Sequence, residues 1–196
     1  MMDYILDLFL KHIISEKCIK EEEGDIYRFG MECMILKLIH YVSYIIIALA
    51  LHSLPSLLIS SCVMIPLRSK AGGYHAKTRI GCYVFSCSMI TVICLLNRMI
   101  LPELIHMVIL VIANIILLVW APVENENRPL EQVEVYAFRK QVIIILLIAD
   151  AIILGMIWQG ISIYNFLVNG IVMMSILLAL EKEKGWKNFW SDLDRT

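Results

Sequence analysis

The sequence predicts an all-α polytopic membrane protein with about six transmembrane helices and an interfacial amphipathic helix at each end. Three observations predict it. Of the 196 residues, 60% are apolar, against roughly 45–50% in an ordinary soluble domain, and a single core of this size cannot hide the excess. Charge is segregated, so that residues 38–67, 80–97, 104–120 and 161–180 contain no Asp, Glu, Lys or Arg. Between these apolar runs, Lys and Arg are dense in alternate connections and sparse in the others, as the positive-inside rule requires.

In chain order, residues 3–20 place apolar Tyr4, Ile5, Leu8, Phe9 and Ile13 among polar Asp3, Asp7, Lys11, His12, Ser15 and Glu16. The apolar block is too short to span, so an amphipathic helix on the membrane surface is expected, with an N-terminal helix packed on the rest of the protein as the alternative. The acidic start and the lack of a small-residue cleavage site argue against a secretory signal peptide. Residues 21–25 read as a solvated linker.

The uncharged run 38–67 has 30 residues, too many for one span of about 20. Pro55 supplies the break, because proline disfavours helix at the residue before it. A first helix is expected from about Met31 to Leu51, and a second over 54–67. The second would be only about 21 Å long against a hydrocarbon core of about 30 Å. It is expected to end or kink at Pro66, leaving the following loop recessed. Residues 80–97 form the third run, with a turn at Arg98 and Pro102, and residues 104–120 form the fourth. A proline-bracketed polar loop follows at 121–129. The fifth span, 141–158, holds the acid Asp150, for which a hydrogen bond between helices is the favoured role. After the Gln159-Gly160 turn comes the sixth span, 161–180. In the tail, Trp186, Phe189, Trp190 and Leu193 recur at helical spacing, as in a second interfacial helix with aromatic anchors.

Lys plus Arg per connection runs 4, 0, 4, 1, 3, 0, 4 from the N-terminal segment to the tail. This alternation supports six spans with both termini and the loop after the second span in the cytoplasm. No internal repeat or low-complexity tract is found, and the chain reads as one integral-membrane domain over 1–196. The net charge of −1 and the lack of any nucleic-acid motif leave the lipid bilayer as the evident partner, with no nucleic acid. Cys62, Cys87 and Cys94 sit in apolar runs as small hydrophobes, so no disulfide framework is expected. His12, His40, His52 and His106 show no metal-ligand spacing. No metal or cofactor is expected, and Lys37 lies where it can snorkel to a membrane edge.

The concentration of chemistry lies in one basic loop, residues 68–82, reading Arg-Ser-Lys-Ala-Gly-Gly-Tyr-His-Ala-Lys-Thr-Arg-Ile-Gly-Cys. Thr78 is suited to cap the third helix. Cys82 then falls in about its first turn, where the positive helix end and Arg79 favour a thiolate. Seven helical residues rise about 10.5 Å, beyond hydrogen-bond reach, so His75 must fold back over the helix start to serve Cys82. Gly72 and Gly73 give the loop the backbone freedom to do so. The geometry suits a cysteine nucleophile with a histidine acid/base. The same residues also fit an ordinary basic loop at the cytoplasmic face.

Arg68, Gly72-Gly73-Tyr74-His75-Ala76 and Cys82 resemble the catalytic segment of the accessory gene regulator B (AgrB) family. The chain length, the amphipathic start, the order of apolar runs and the 121–129 loop match that family as well. The resemblance implies an integral-membrane cysteine endopeptidase of a Gram-positive bacterium's cell membrane. Its substrate would be an AgrD-like propeptide, whose acidic C-terminal tail it removes while promoting thiolactone or lactone cyclisation of a quorum-sensing peptide. By the resemblance, Cys82 is the nucleophile and His75 the general acid/base. Arg68 positions the loop or meets the substrate's acidic tail, and Gly73 serves loop geometry. Gly72 and Lys70 join them as positioning or substrate-binding candidates. The acids Glu124, Glu126, Glu131 and Glu134 make residues 122–141 a poor receptor for an acidic tail. A homodimer is the expected assembly.

Three other classes fit parts of the chain. A small peptide transporter or permease would use Asp150 and the broken first run as substrate features, but no repeat supports it. A scaffold protein would use the loop to hold a partner and would tolerate Cys82→Ser. An intramembrane metalloprotease lacks a ligand motif.

Overall fold

The computed structural model describes residues 23–74, 76, 78–99, 101–124 and 130–193, with side chains as far as 184. Among the described residues there is no strand. The helices are α1 (Gly24–Ala50), α2 (Leu54–Ala71), α3 (Arg79–Leu96), α4 (Glu103–Trp120), α5 (Gln132–Trp158) and α6 (Tyr164–Leu193). All but α2 are long and apolar enough to cross a bilayer, α6 over Tyr164–Lys184. The protein is an all-α, multi-pass membrane protein. The shortfall of α2 follows from its serines, its two prolines and the Arg68 and Lys70 that it carries in its last turn.

The described residues up to Ile46 form one compact unit, and those from Ile47 on form a second. The first unit contains most of α1, whose Asp25 sits in the first turn, where the helix dipole favours an acid. The second unit is a helical bundle organised on α6. This helix packs against α2, α3, α4 and α5, and 61% of its span is buried, against 11–22% for α3, α4 and α5. Its neighbours show one face to it and another to lipid. In α4, His106, Leu110, Ala113 and Leu117 are buried at helical spacing, while Ile105, Val108, Ile112 and Ile115 are exposed. In α5, Val142, Leu146, Ala149 and Ile153 form the corresponding stripe. An apolar stripe facing the bundle and an apolar face toward solvent is the pattern of a helix packed in lipid.

Two devices set the closest approach, that of α2 to α6. Gly170 presents no side chain, and a Cβ there would meet Val63 Cγ1 at 2.7 Å and the Ser60 carbonyl at 2.8 Å. Ser60 Oγ donates to the Phe166 carbonyl at 2.8 Å. Asn97 Nδ2 donates to Ser60 Oγ at 3.0 Å, and Asn169 Nδ2 donates to Asn97 Oδ1 at 2.9 Å. This chain joins α2, α3 and α6 through polar groups that have no water to turn to inside a membrane. At the same end of the bundle the Arg98 guanidinium bonds the Leu51 carbonyl and Ser53 Oγ, fastening the 97–99 turn to the 51–53 turn.

Several boundaries differ from expectation. The break at 53–55 occurs as read: His52 takes φ +45°, Ser53 N–H donates to the Ala48 carbonyl at 2.8 Å, and Pro55 opens α2, a position that needs no amide donor. However, α1 begins at Gly24 rather than near Met31, so the end of the supposed linker is helical. Pro66 neither ends nor bounds α2, which continues to Ala71. Its 18 residues make about 27 Å, and helix length no longer supplies a recess for the loop. The third, fourth and fifth spans fall as expected, but α5 starts nine residues early, at Gln132. The Glu134 carboxylate accepts from the Glu131 N–H at 3.3 Å, half of a capping box that the polar composition of 131–140 concealed. The tail is not a separate element, since α6 is one helix through Leu193. The N-terminal amphipathic helix expected over 3–20 and the side chains of Trp186, Phe189, Trp190 and Leu193 lie outside the described residues.

Candidate functional site

The site is built where α2 hands over to α3. In its last turn α2 carries Arg68, whose planar guanidinium reaches forward over the next six residues. Nη1 donates to the Gly72 carbonyl at 3.3 Å and Nη2 to the Tyr74 carbonyl at 2.6 Å. One side chain thus folds the exit of its own helix. The fold demands the two glycines. Gly72 has φ +79° and Gly73 φ +134°, where other residues are strained. A Cβ at Gly72 would meet the Val123 carbonyl oxygen at 2.6 Å. A Cβ at Gly73 would run into Arg68 Nη1 and lie 3.5 Å from Leu177 Cβ.

Two backbone bonds pin this exit to the rest of the bundle. Val123 N–H donates to the Ala71 carbonyl at 3.0 Å, and Tyr74 N–H donates to the Leu177 carbonyl of α6 at 3.0 Å. Ala71 and Gly73 are buried as a result. The shielding of the loop base therefore comes from packing under α6 and the 121–123 segment, not from a short helix. The Tyr74 ring leans on Phe85 of α3 with centroids 4.5 Å apart, and the Lys184 ammonium of α6 lies 5.8 Å above the same ring.

On the far side of the loop, Thr78 is the N-cap of α3. Its Oγ1 accepts from the Gly81 N–H at 3.0 Å, and its carbonyl accepts the Cys82 N–H at 2.9 Å. Gly81 fits under this cap, since a Cβ there would meet Thr78 Oγ1 at 2.8 Å. Cys82 is a half-buried free thiol one turn from the start of a helix with no acidic residue in its first turn.

Of the residues singled out from sequence, Arg68 bonds the Gly72 and Tyr74 carbonyls that flank Gly73, and Cys82 sits on the helix that follows. Lys70 belongs elsewhere: its ammonium lies 5.1 Å from the ring centroid of Phe138 on α5, a cation–π contact that ties α5 to α2. His75 lies outside the described residues. Sequence reasoning named Tyr74 only within the motif and missed its partners, the Leu177 carbonyl and Phe85, and also Val123, because backbone partners and ring contacts from distant segments leave no local pattern. It also missed Glu181, a buried acid of α6 whose carboxylate is 3.8 Å from Lys184 Nζ.

Asp150 is engaged as expected, with both carboxylate oxygens accepting from Asn114 Nδ2 of α4, at 3.1 and 2.9 Å. His40 Nδ1 lies 2.7 Å from the Leu36 carbonyl of its own helix, and His106 packs edge-on against Tyr164. Among the described residues no three His, Cys, Asp or Glu side chains converge as a metal would require.

A model of the family described as "AgrB: Accessory gene regulator B" matches residues 6–180, which include the whole loop. Among curated proteins, a "Putative AgrB-like protein" of Clostridium beijerinckii is 25% identical over 120 residues. The match spans 60% of this chain and 60% of that protein's length. No solved structure matches the chain.

Proposed function

The chain belongs to the accessory gene regulator B family, and from that premise we propose that it is a membrane cysteine endopeptidase that matures a quorum-sensing propeptide. Membership ties the protein to accessory gene regulation and to peptide processing at the membrane. The finer reading rests on one observation: the Arg68–Gly72–Gly73–Tyr74 unit delivers the chain to the capped start of α3, with Cys82 one turn inside it.

In this mechanism Cys82, as thiolate, attacks the carbonyl carbon of the bond before the propeptide's acidic tail. The sulfur–carbon bond forms, the carbon–nitrogen bond breaks, and His75 as imidazolium gives its proton to the leaving amine. The tail departs, leaving a thioester on Cys82. A thiol or hydroxyl within the tethered peptide then attacks that thioester and returns its proton to His75, releasing Cys82 and a macrocyclic thiolactone or lactone. Ring closure in preference to hydrolysis requires that water be kept from the thioester; burial of the loop base at Ala71 and Gly73 supports this, and the bound peptide would cover Cys82. The propeptide is the partner, and the loop faces the cytoplasm, where that propeptide is made.

The test uses membranes bearing wild type, Cys82→Ala or His75→Ala together with the propeptide encoded beside this gene. Tail removal is followed by mass, and the thioester is trapped with hydroxylamine. Wild type should cleave and form the adduct, and both should be lost in Cys82→Ala. Cleavage that persists without Cys82 rejects the mechanism.

A further inference from the structure

We propose that the propeptide segment on the acyl side of the scissile bond lies in a groove along α3, with Cys82, Ser86 and Met89 forming one wall; this deepens the endopeptidase reading above and rests on it. Cys82 faces the bundle rather than lipid. Ile93 lies about three turns further along α3, on the same face, and it is fully buried. Met89, about two turns from Cys82, packs on the core, and Ser86 is one turn away. The opposite face, at Val84, Ser88, Val92 and Leu95, is exposed. Along the bundle-facing stripe, however, burial declines. Ile93 is 0% exposed, whereas Met89, Ser86 and Cys82 are only half-buried. A stripe turned to its neighbours but covered at one end borders an opening at the other.

The opening has its cause in the loop. Where α3 ends, it meets the early part of α6 through short side chains, Asn169 Nδ2 donating to Asn97 Oδ1 at 2.9 Å. Where α3 begins, the later part of α6 is opposite, and Tyr74 stands between the two helices. Its N–H bonds the Leu177 carbonyl of α6 at 3.0 Å, and its ring centroid is 4.5 Å from that of Phe85 on α3. A whole loop residue thus occupies, at one end, the space that a single hydrogen bond closes at the other. It holds α3 away from α6, and Cys82 lies beyond Phe85 toward the wide end.

The direction of the peptide follows from the chemistry. The tail must leave, and the acyl part must stay as the thioester. The departing side therefore points to the open end, where α3 begins, and the acyl side runs toward the closed end at Ile93. Ser86 and Met89 lie about 6 and 10.5 Å from Cys82 along the helix axis, the reach of about two and three extended residues. Small Ser86 and flexible Met89 leave space for apolar side chains at those peptide positions. A polar side chain there would give up water without a partner.

The experiment compares wild type, Ser86→Trp and Ser88→Trp in native-composition vesicles with the propeptide encoded beside this gene. It records kcat/KM for cleavage and, by mass, the alkylation of Cys82 by iodoacetamide. In parallel, p-benzoylphenylalanine is placed at position 86 or 88 of the Cys82→Ala protein and photolysed with the intact propeptide. Ser86→Trp should lower kcat/KM at least about tenfold while Cys82 alkylation keeps the wild-type rate. Ser88→Trp, on the lipid side, should match wild type. The probe at 86 should capture the propeptide within about three residues before the scissile bond, and the probe at 88 should not. Wild-type kcat/KM in Ser86→Trp overturns the proposal. So does capture of the departing tail from position 86, or equal capture from position 88. Because the crosslink needs no turnover, it is read apart from the reaction: wild type that does not cleave, or Cys82→Ala that does, defeats the endopeptidase reading whatever position 86 captures.

Discussion

At the scale of single residues, the loop is a set of backbone conformations held by one arginine. Gly73→Ala must accept φ +134° and displace the Arg68 guanidinium. Strain of this kind costs about 1–3 kcal/mol, and its effect falls on the loop rather than on the bundle. Propeptide cleavage should drop tenfold or more while the amount of inserted protein stays constant, as a cleavage assay normalised to immunoblot would report. Arg68→Lys keeps the charge but cannot span two carbonyls with a planar fork. It should lose cleavage and expose residues 72–78 to limited proteolysis. Much of this was legible in the sequence. Paired glycines four residues after an arginine mark a turn, and a threonine four residues before a cysteine marks a cap, and both are found there. The identity of the groups that meet them was not legible. Leu177 and Val123 contribute backbone atoms, which any residue type would supply.

At the scale of elements, two contacts decide how helices sit. Gly170 allows α6 to press on Ser60 and Val63 of α2. Gly170→Val should push these helices apart, with overpacking worth about 1–3 kcal/mol. Thermal unfolding in mild detergent should shift downward, and cleavage should fall in parallel, because α2 and α6 both carry parts of the site. Asp150→Asn makes the opposite case. Its partner Asn114 can bond an amide as well as a carboxylate, so stability and cleavage should stay within about twofold of wild type. A complete loss in the cleavage assay would give Asp150 a role in transport or chemistry. Helix ends were the least legible feature. The charges in 132–140 and at Arg68 and Lys70 read as loop, yet all are helical, because helices that leave the apolar layer continue into polar surroundings wherever caps and neighbours hold them.

At the scale of the whole molecule, the connections sort to two ends. The 51–53 and 97–99 turns are fastened together by Arg98. The loop after α2, the 121–123 segment and the later part of α6 are joined through Ala71, Tyr74 and Leu177. The alternation of Lys and Arg carries the expectation that the second end faces the cytoplasm, and labelling tests it. In a protein with its native cysteines replaced by alanine, Glu124→Cys should react with a membrane-impermeant maleimide only when the inner face is accessible. Gln159→Cys should react from the outer face of intact cells. Reversal of the two would invert the orientation and put the loop on the wrong side for a newly made propeptide.

The hydrogen bonds around the loop base carry a consequence for how a peptide is recognised. The carbonyls of Ala71, Gly72 and Tyr74 and the amide of Tyr74 are already engaged by Val123, Arg68 and Leu177. An extended substrate that docks by adding a strand needs a free row of such groups along one edge, and residues 71–74 do not offer it. Sequence-blind main-chain pairing is therefore closed at the loop base. On the proposed function, discrimination among propeptides would fall to side chains that approach the loop, so a change of cognate peptide should be matched by changes in those side chains while the Arg68-braced turn stays as it is.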